Sequence, residues 1–383
     1  MAFNASEERL WQWLFLSLLP GVGPAFWQRW LTQFPSPLRL LDSEHATVAR
    51  NTLPQRAREA FDAWQQQDRR HPVMARLRQV ATCMEREGIQ LVTWEDPEYP
   101  PLLREIHSPP VVLYVRGDPG ALMASQVALV GSRKASGDGL RTARKLAGDL
   151  AEREWVVTSG LALGVDGAAH EGALAAGGAT VAVLGAGVDR IYPRQHQALA
   201  CRILQSGCLV SEMPPGTAPK PGHFPRRNRI ISGLCQGIVV IEAGLRSGSL
   251  ITARLALEQG REVLAVPGSI HNPQVQGCHR LLREGARLVE TADDVLEELS
   301  CGFALTAPAF SAGAQMSLSE AAEPSLAGDE AEVYRALGFA PSNSDELASR
   351  TGLPADRMMQ ALLLLEMEGH VELTEGGYRR AGV

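Results

Sequence analysis

The chain has 383 residues, a formal net charge of −6, and a composition that is 45% hydrophobic and 21% charged. This length exceeds what one ordinary core needs, so we expect two or three globular domains. No apolar run reaches the roughly 20 residues of a membrane span, and the N-terminus lacks a basic segment that leads into an apolar one, so we predict a cytoplasmic protein without a membrane partner.

Residues 1–75 are predicted to form a helical N-terminal domain, which contains five of the seven tryptophans. Its segment "LPGVGPAFWQRWLTQF" places two glycines and a proline between apolar helical stretches, as in the tight turns of helix-hairpin-helix and SAM-like domains. The tryptophans favour simple helical packing, because they occupy positions expected for a core. The alternative, in which amides of the turn contact a DNA phosphate, stays open despite the low basic charge of this segment.

Residues 76–300 are predicted to form an extended Rossmann-like domain. Short runs such as "VALVG", "TVAVLG" and "GIVVIEA" alternate with helical patterns. Continuous Val, Ile and Leu indicate strands that are buried on both faces, which is typical of parallel sheets covered by helices on each side. The predicted fold class is therefore α/β, with a doubly wound, mainly parallel sheet.

The C-terminal part is predicted to contain a flexible linker at 301–328 and a winged-helix domain at 329–383. The linker is rich in Ala, Ser, Gly and Pro without periodicity. Three short helical patterns and a hairpin with a Gly-Gly turn follow it. Five arginines stand against ten carboxylates in the domain, a net charge of −5. Since a duplex backbone would be repelled by most of this surface, we expect a protein contact or a regulatory role here.

The six cysteines predict neither a disulfide framework nor a metal site. They contain no C-x-x-C pair, and we expect reduced thiols that are mostly buried. They are Cys83, Cys201, Cys208, Cys235, Cys278 and Cys301. We also expect no cofactor.

The turns that follow the predicted strands are rich in glycine. "GSRKASGDG", "GLALGVDGAAH", "GAGVDRIYP", "EAGLRSGSLITAR" and "PGS" each come directly after a strand. In open parallel sheets ligands collect at this carboxyl edge, beside helix N-termini with free amides. Several such turns together favour a phosphate-binding groove over turns that serve only to connect strand and helix. Dinucleotide binding is not favoured, because "GSRKAS" is not G-x-G-x-x-G, and no Walker loop occurs.

One stretch, "GHFPRRNRIISG" at 222–233, concentrates positive charge in an acidic chain. Its preceding loop is too rich in proline for a helix, so Phe224 is expected at the loop exit, with the arginines on the first helical turn. Arginines beside an exposed aromatic ring suit single-stranded nucleic acid, which offers phosphates and bases for stacking. In the alternative, Phe224 is core and the arginines form salt bridges. That alternative fits Arg227 best. Few acidic residues lie within ten positions of the arginines to pair with them.

The chain resembles the DNA-processing protein A (DprA, or Smf) family of bacterial natural transformation. The resemblance lies in "VALVGSRKASGDG", "SGLALGVDGAAHEGAL", "VAVLGAGVDRIYPRQH", "SEMPPGTAPKPGHFPRRNRIISGL" and "VVIEAGLRSGSLITARLALEQGREVLAVPG", in the family's order over about 200 residues. It implies a non-enzymatic homodimer that binds and protects single-stranded DNA and loads the RecA recombinase onto it. His196 stands where asparagine is common in the family.

The resemblance also implies which residues contact DNA. Arg133 would grip a backbone phosphate, and the turn after the next strand would offer amides and a hydroxyl. A loop and the start of the following helix would line the same groove. The implied DNA-contacting residues are Arg133, Ser159, Gly160, Gly164, Lys220, Phe224, Arg226, Asn228, Arg229, Ser247, Gly248, Ser249 and Thr252.

A nucleotide-directed enzyme is the alternative function. Asp166 and His170 are four residues apart and would share a helix face near the groove. Nucleoside-monophosphate phosphoribohydrolases use a related fold for glycosidic cleavage, with a P-G-G-x-G-T turn. Here the corresponding turns read "EAGLRSGSL" and "PGSIHNP". A helix cap and a loop tether are therefore the favoured roles of Asp166 and His170, and no catalytic residue is predicted.

Overall fold

A computed structural model describes residues 5–306 and 328–337, together with shorter stretches between 347 and 380. The chain divides into two compact units, Met1–Ala307 and Pro308–Val383. Among the described helices, none combines the length and the apolar composition that crossing a bilayer would require.

Residues 5–87 consist mainly of helices, as the tryptophan-rich pattern predicts. The tryptophans Trp13, Trp27 and Trp30 are buried in a core that also includes Tyr114 and Leu209 of the sheet, so the packing interpretation describes these side chains correctly. Because the helices and the sheet share this core, the boundary at residue 75 stays a prediction. The helices are α1 (Ala5–Ser17), α2 (Pro24–Leu31), α3 (Ala46–Thr52), α4 (Gln55–Gln65) and α5 (Pro72–Glu87).

A nine-stranded sheet forms the centre of the first unit, in the order β1-β2-β6-β5-β4-β3-β7-β8-β9. Strands β3 to β9 are parallel, whereas β1 and β2 add antiparallel strands beside β6. The prediction of a mainly parallel sheet is confirmed. The strands are β1 (Ile89–Thr93), β2 (Val112–Gly117), β3 (Gln126–Gly131), β4 (Val156–Ser159), β5 (Thr180–Val183), β6 (Cys208–Ser211), β7 (Gly237–Ile241), β8 (Glu262–Ala265) and β9 (Arg287–Leu288).

Helices cover both faces of the sheet, as a doubly wound fold requires. Alternate residues of β3 show this directly, because Val127 and Leu129 pack on one side and Ala128 and Val130 on the other. One face carries α7, α8 and α13, with α9 beside the N-terminal helices, and the other carries α6, α10, α11 and α12. Their bounds are α6 (Pro101–Glu105), α7 (Gly137–Glu152), α8 (Val165–Ala175), α9 (Gln197–Ser206), α10 (His223–Leu234), α11 (Gly248–Glu258), α12 (Gln276–Arg283) and α13 (Ala292–Thr306).

The strand order reverses between β3 and β7. From β3 the chain moves stepwise to β6 on one side, then returns to β7 on the other side of β3. The two strands end level, since Gly131 is paired with Ile241. A reversal of this kind leaves a crevice at the carboxyl edge between the two strands, where ligands of open α/β sheets bind.

The C-terminal unit contains α14 (Gly328–Ala336) and a hairpin of β10 (Val371–Thr374) and β11 (Gly377–Arg380). Val371 pairs with Arg380 in the antiparallel register that a short turn produces. Part of the expected Gly-Gly turn of this hairpin lies at residues 375–376, which are outside the described residues. The predicted linker overlaps α13 as far as Thr306, and its residues 307–327 also lie outside the described part of the chain, so the linker stays a prediction.

Candidate nucleic-acid interface

Two aromatic rings and an arginine lie together at the carboxyl edge of the sheet. The Arg133 guanidinium carbon is 5.7 Å from the centroid of the Phe224 ring. The Tyr192 ring lies 5.7 Å from that of Phe224, at an interplanar angle of 44°. Tyr192 is 49% exposed, and Phe224 is half-buried. We call these three residues the aromatic cluster.

Exposed cations without carboxylate partners also lie in the turns that follow the strands. Arg133 and Lys134 follow β3, Lys220 lies between β6 and α10, and Arg246 follows β7. All four are exposed, and within the described residues none forms an ion pair. Unpaired guanidinium and ammonium groups on one edge create a local positive potential in a chain whose net charge is −6.

Gly164 brings the turn after β4 against the turn after β3. Its φ of +80° and ψ of −127° are accessible to glycine and unfavourable for other residues. A Cβ at this position would lie 2.2 Å from the carbonyl oxygen of Ser132. Glycine is therefore needed here both for its backbone conformation and for the close approach of the loop that contains Arg133.

The polar groups that Ser159 and Gly160 were expected to offer to DNA have partners inside the protein, although Gly160 lines a small pocket together with Tyr192 and Phe224. The Ser159 hydroxyl is fully buried and donates to the carbonyl oxygen of Leu129 at 2.6 Å. The amide of Gly160 donates to the carboxylate of Asp166 at 3.1 Å. The polar atoms of this turn are thus used to hold the loop in place.

Arg227 holds the loop through hydrogen bonds to backbone carbonyls. Among the described residues it forms no ion pair, so the salt-bridge alternative, which was expected to fit Arg227 best, does not describe it. Its side chain is buried, and Nη1 donates to the carbonyl oxygens of Gly160, at 2.7 Å, and Val183. Its Nε donates to the side-chain oxygen of the half-buried Asn228 at 3.2 Å, so Asn228 already has a partner within α10. Burial lowers the pKa of Arg227 to about 10, with Asp166 opposing the shift.

Arg226 and Arg229 share one buried carboxylate, that of Glu212. Arg229 is 6% exposed, and its Nη2 donates to Glu212 Oε2. The Arg226 Nε lies 2.7 Å from Glu212 Oε1 without hydrogen-bond alignment, and the Arg226 side chain is 40% exposed. The expected groove-facing position of Arg229 is wrong, because its guanidinium is buried and bound to Glu212, 17 positions earlier in the chain. Arg226 keeps an exposed guanidinium edge.

The start of α11 has its own internal hydrogen bonds. Ser247 caps the helix, since its hydroxyl accepts from the Ser249 amide at 3.3 Å. Thr252 is buried and its hydroxyl donates back to the carbonyl of Gly248 at 3.5 Å, so Ser249 and Thr252 do not line a surface. Gly248 is exposed. None of the contacts found in the described part of the chain joins this segment to the aromatic cluster.

Asp166 and His170 form no acid–base pair. Asp166 accepts from the amides of Gly160 and Ala162, and burial raises its pKa. The His170 Nδ1 lies 2.7 Å from the Thr180 hydroxyl, and the imidazole is fully buried. Asp166 therefore tethers the loop before α8 and is not the expected helix cap, because the N-cap of α8 is Gly164 without a side-chain cap bond. His170 is tethered to the first residue of β5. Across the described residues, no group of His, Cys, Asp or Glu side chains is arranged to hold a metal ion.

The buried His170 is expected to make stability depend on pH. Burial is the main cause that lowers its pKa from 6.5 to about 3, with His196 and Arg227 adding to the shift. The contribution of the neutral imidazole to the free energy of unfolding is complete above pH 6.5. It falls by about 1.4 kcal/mol per pH unit below that value, because only the unfolded chain then binds the proton. Urea unfolding at pH 7 and pH 5 should show a loss about 2 kcal/mol larger for the wild type than for His170→Gln.

The difference between these two proteins isolates the histidine. Asp166 acts in the opposite sense, because a carboxyl whose folded pKa is raised loses stabilisation as the pH increases through that pKa. It is present in both proteins and cancels in the comparison. Equal pH dependence of the two unfolding free energies would contradict the assignment of His170 as a buried neutral imidazole.

The sequence did not predict four residues of this edge as candidate functional residues. Lys134, Tyr192 and Arg246 lie in turns that the glycine pattern had marked, but nothing in a single turn shows which side chains are exposed. Glu242 directly follows β7 at the strand reversal and is buried. The signal for Glu242 in the sequence is an acidic residue directly after the apolar run "GIVVI".

The sheet and its covering helices define a Rossmann-type α/β protein, and the carboxyl edge is the side on which proteins of this fold bind ligands. Residues 90–300 match the profile of the DNA recombination-mediator protein A family, and residues 318–377 match the DprA winged helix domain. The chain belongs to the DNA recombination-mediator protein A family, which confirms the DprA/Smf resemblance.

Relatives and solved structures agree with this membership. Protein Smf of Escherichia coli (strain K12) is 42% identical over 298 residues, which cover 78% of this chain and 79% of the relative. The X-ray structure of DprA from Streptococcus pneumoniae has a TM-score of 0.55 and 44% identity, covering 60% of this chain and 82% of that one. DprA from Helicobacter pylori, described for its single-stranded DNA binding mode, has a TM-score of 0.50 and 30% identity, covering 55% and 96%.

Proposed function

We propose that this protein binds single-stranded DNA along the carboxyl edge of its sheet. The observation that carries the proposal is the aromatic cluster, with Arg133 against the Phe224 ring, together with exposed cations that lack carboxylate partners in the turns after the strands. Rings stack on bases of any sequence, and cations neutralise successive phosphates, so the interface suits an unpaired strand. Membership of the DprA family, and the strand-binding relative in Helicobacter pylori, support the proposal.

The contact set is narrower than the one the resemblance implied. Arg133, Lys220, Phe224 and Arg226 present accessible side chains, and Gly164 allows the close approach of two loops. The buried Ser159, Gly160, Arg229, Ser249 and Thr252 hold the surface in shape. We propose Lys134, Tyr192 and Arg246 as additional contacts, and Asn228, Ser247 and Gly248 as peripheral ones.

The salt dependence of binding tests this interface. Anisotropy of a labelled oligothymidylate is measured from low to high salt for the wild type and for Arg133→Ala/Lys220→Ala. Loss of two phosphate contacts should lower the slope of log affinity against log salt by about 1.4, because each contact contributes about 0.7 for single strands. Duplex DNA of equal length should bind more weakly.

A matched variant separates the interface from general charge effects. Arg56 on α4 and Arg202 on α9 are exposed and form no ion pair among the described residues. Arg56→Ala/Arg202→Ala removes the same charge and should leave the slope at the wild-type value. An unchanged slope in Arg133→Ala/Lys220→Ala, or an equal fall in both variants, would refute the proposed interface.

We further propose that the protein acts without catalysis, as a cytoplasmic homodimer that protects incoming single strands and loads RecA during natural transformation. Family membership and the tethering roles of Asp166 and His170 support this view. Light scattering tests the dimer, and RecA filament formation on coated strands tests loading. Release of free base from nucleotides would favour an enzyme instead. For the acidic winged helix we propose a protein contact or regulation.

A further inference from the structure

Glu242 places a buried carboxylate in the crevice where the strand order reverses. The residue directly follows β7 and is 6% exposed. Its two carboxylate oxygens accept from the Ser136 amide at 2.7 Å and from the Ser136 hydroxyl at 2.5 Å. The Asn272 side-chain amide adds a third hydrogen bond at 3.2 Å. The backbone of Glu242 has a φ of +51°, which residues other than glycine seldom adopt.

The same carboxylate lies against the first turn of α7. A Cβ at Gly139 would be 2.5 Å from the Glu242 carboxyl carbon, so carboxylate and helix are in contact. Ser136 is the N-cap of this helix. In dinucleotide-binding sheets the helix that follows the central strand holds the pyrophosphate at this position. Here a side chain of the protein provides the anion that the position favours.

Glu242 also organises the loop that contains the exposed cations. The Ser132 amide donates to the Glu242 carbonyl oxygen at 2.6 Å. The Ser132 hydroxyl then accepts from the Lys134 amide at 3.1 Å. With Ser136 held by the carboxylate, the segment 132–136 is anchored on both sides of Arg133 and Lys134.

We propose that Glu242 is an internal substitute for a nucleotide phosphate. It excludes free nucleotides from the crevice, and it fixes the segment 132–136 so that Arg133 and Lys134 face a polynucleotide. Glu242 is thus a positioning and specificity-determining residue. The part that concerns DNA rests on the proposed function, whereas the occupied anion position does not.

Glu242→Ala tests both parts. Charge alone predicts tighter binding of oligothymidylate, because a carboxylate near the groove is removed. The proposal predicts binding weaker by on the order of tenfold, about the effect of one lost charge-assisted hydrogen bond. Inorganic phosphate should raise the thermal midpoint of this variant above that in chloride of equal ionic strength, by about 3 °C at ten times the dissociation constant. The exposed Glu258 on α11 provides the control, and Glu258→Ala should show neither effect.

Each outcome decides one part of the proposal. Equal or tighter DNA binding by a folded Glu242→Ala protein would overturn the positioning role. A phosphate effect no larger than in the wild type would overturn the occupied anion position. Failure of the wild type to bind DNA would overturn the proposed function and leave the phosphate result valid. If Glu242→Ala does not fold, Glu242→Gln should show about tenfold faster hydrogen exchange over 132–136, and unchanged exchange would overturn the positioning role.

Discussion

Replacing Glu212 by alanine is expected to lower the free energy of unfolding by about 3–5 kcal/mol, because a buried guanidinium is then left without its counter-ion. Arg229 is 6% exposed, and burial lowers its pKa while Glu212 opposes that shift. Its Nε and Nη1 are buried and have no hydrogen-bond partner among the described residues. Glu212 therefore provides the main compensation for this charge. Urea unfolding at neutral pH measures the loss.

Two further variants show that the buried pair is responsible. Arg226→Ala removes the half-exposed partner of the same carboxylate and should cost at most about 1 kcal/mol, as solvent-screened pairs do. Glu212→Met/Arg229→Met replaces both buried charges by apolar groups and should recover most of the loss, because neither charge is then desolvated alone. A Glu212→Ala protein within 1 kcal/mol of the wild type would show that Arg229 finds another partner or water.

The fold could be predicted from the sequence because its signals are local. Each buried strand reads as a continuous apolar run, and runs such as 127–131 and 237–241 match β3 and β7. The two antiparallel strands were less visible, since β1 is interrupted by polar residues and β2 follows a proline pair. The core shared by the N-terminal helices and the sheet could not be predicted, because it depends on pairings such as that of Ser17 with Tyr114, 97 positions apart.

The sequence predicted which residue types form the candidate site, but only partly which of their side chains are exposed. Arg226, Arg227 and Arg229 lie on the first turns of α10, as expected, but that helix packs against the sheet. Successive residues on a helix point about 100° apart, so Arg226 is exposed while Arg227 is buried. Which arginine faces outward depends on the rotation of the helix over the sheet, and the sequence does not contain that angle. The partner Glu212 directly follows β6, and its contact with Arg229 depends on how the loop 213–222 returns the chain to α10.

Tyr192 shows the same limit in the turn after β5. The pattern "GAGVDRIYP" marked a glycine turn, and the ring within it had no evident role. Phe224 lies 32 residues later, in the first turn of α10, the helix that follows β6. Because β5 and β6 are neighbours in the sheet, their turns meet and the two rings approach within 5.7 Å. Surfaces for unpaired strands arise from such neighbouring turns, so their aromatic residues are best sought after the strand order is known.

Replacing Phe224 by alanine is expected to weaken binding of single-stranded DNA by about 5- to 150-fold, since a stacked base contributes roughly 1–3 kcal/mol. The ring carries no charge, so the slope of log affinity against log salt should stay at the wild-type value. This separates Phe224 from Arg133 and Lys220, whose removal lowers the slope. Anisotropy titrations of labelled oligothymidylate at several salt concentrations measure affinity and slope together.

An abasic oligonucleotide provides the matched control on the side of the ligand. It retains the phosphates but has no bases to stack, so Phe224→Ala should bind it as well as the wild type does. Phe224→Leu keeps an apolar side chain without a ring face and should lose most of the same affinity for oligothymidylate. Since the Tyr192 ring lies 5.7 Å away, Tyr192→Ala should act in the same direction. Equal losses on the abasic and the normal strand would mean that Phe224 only supports the Arg133 loop, and that the bases are held elsewhere.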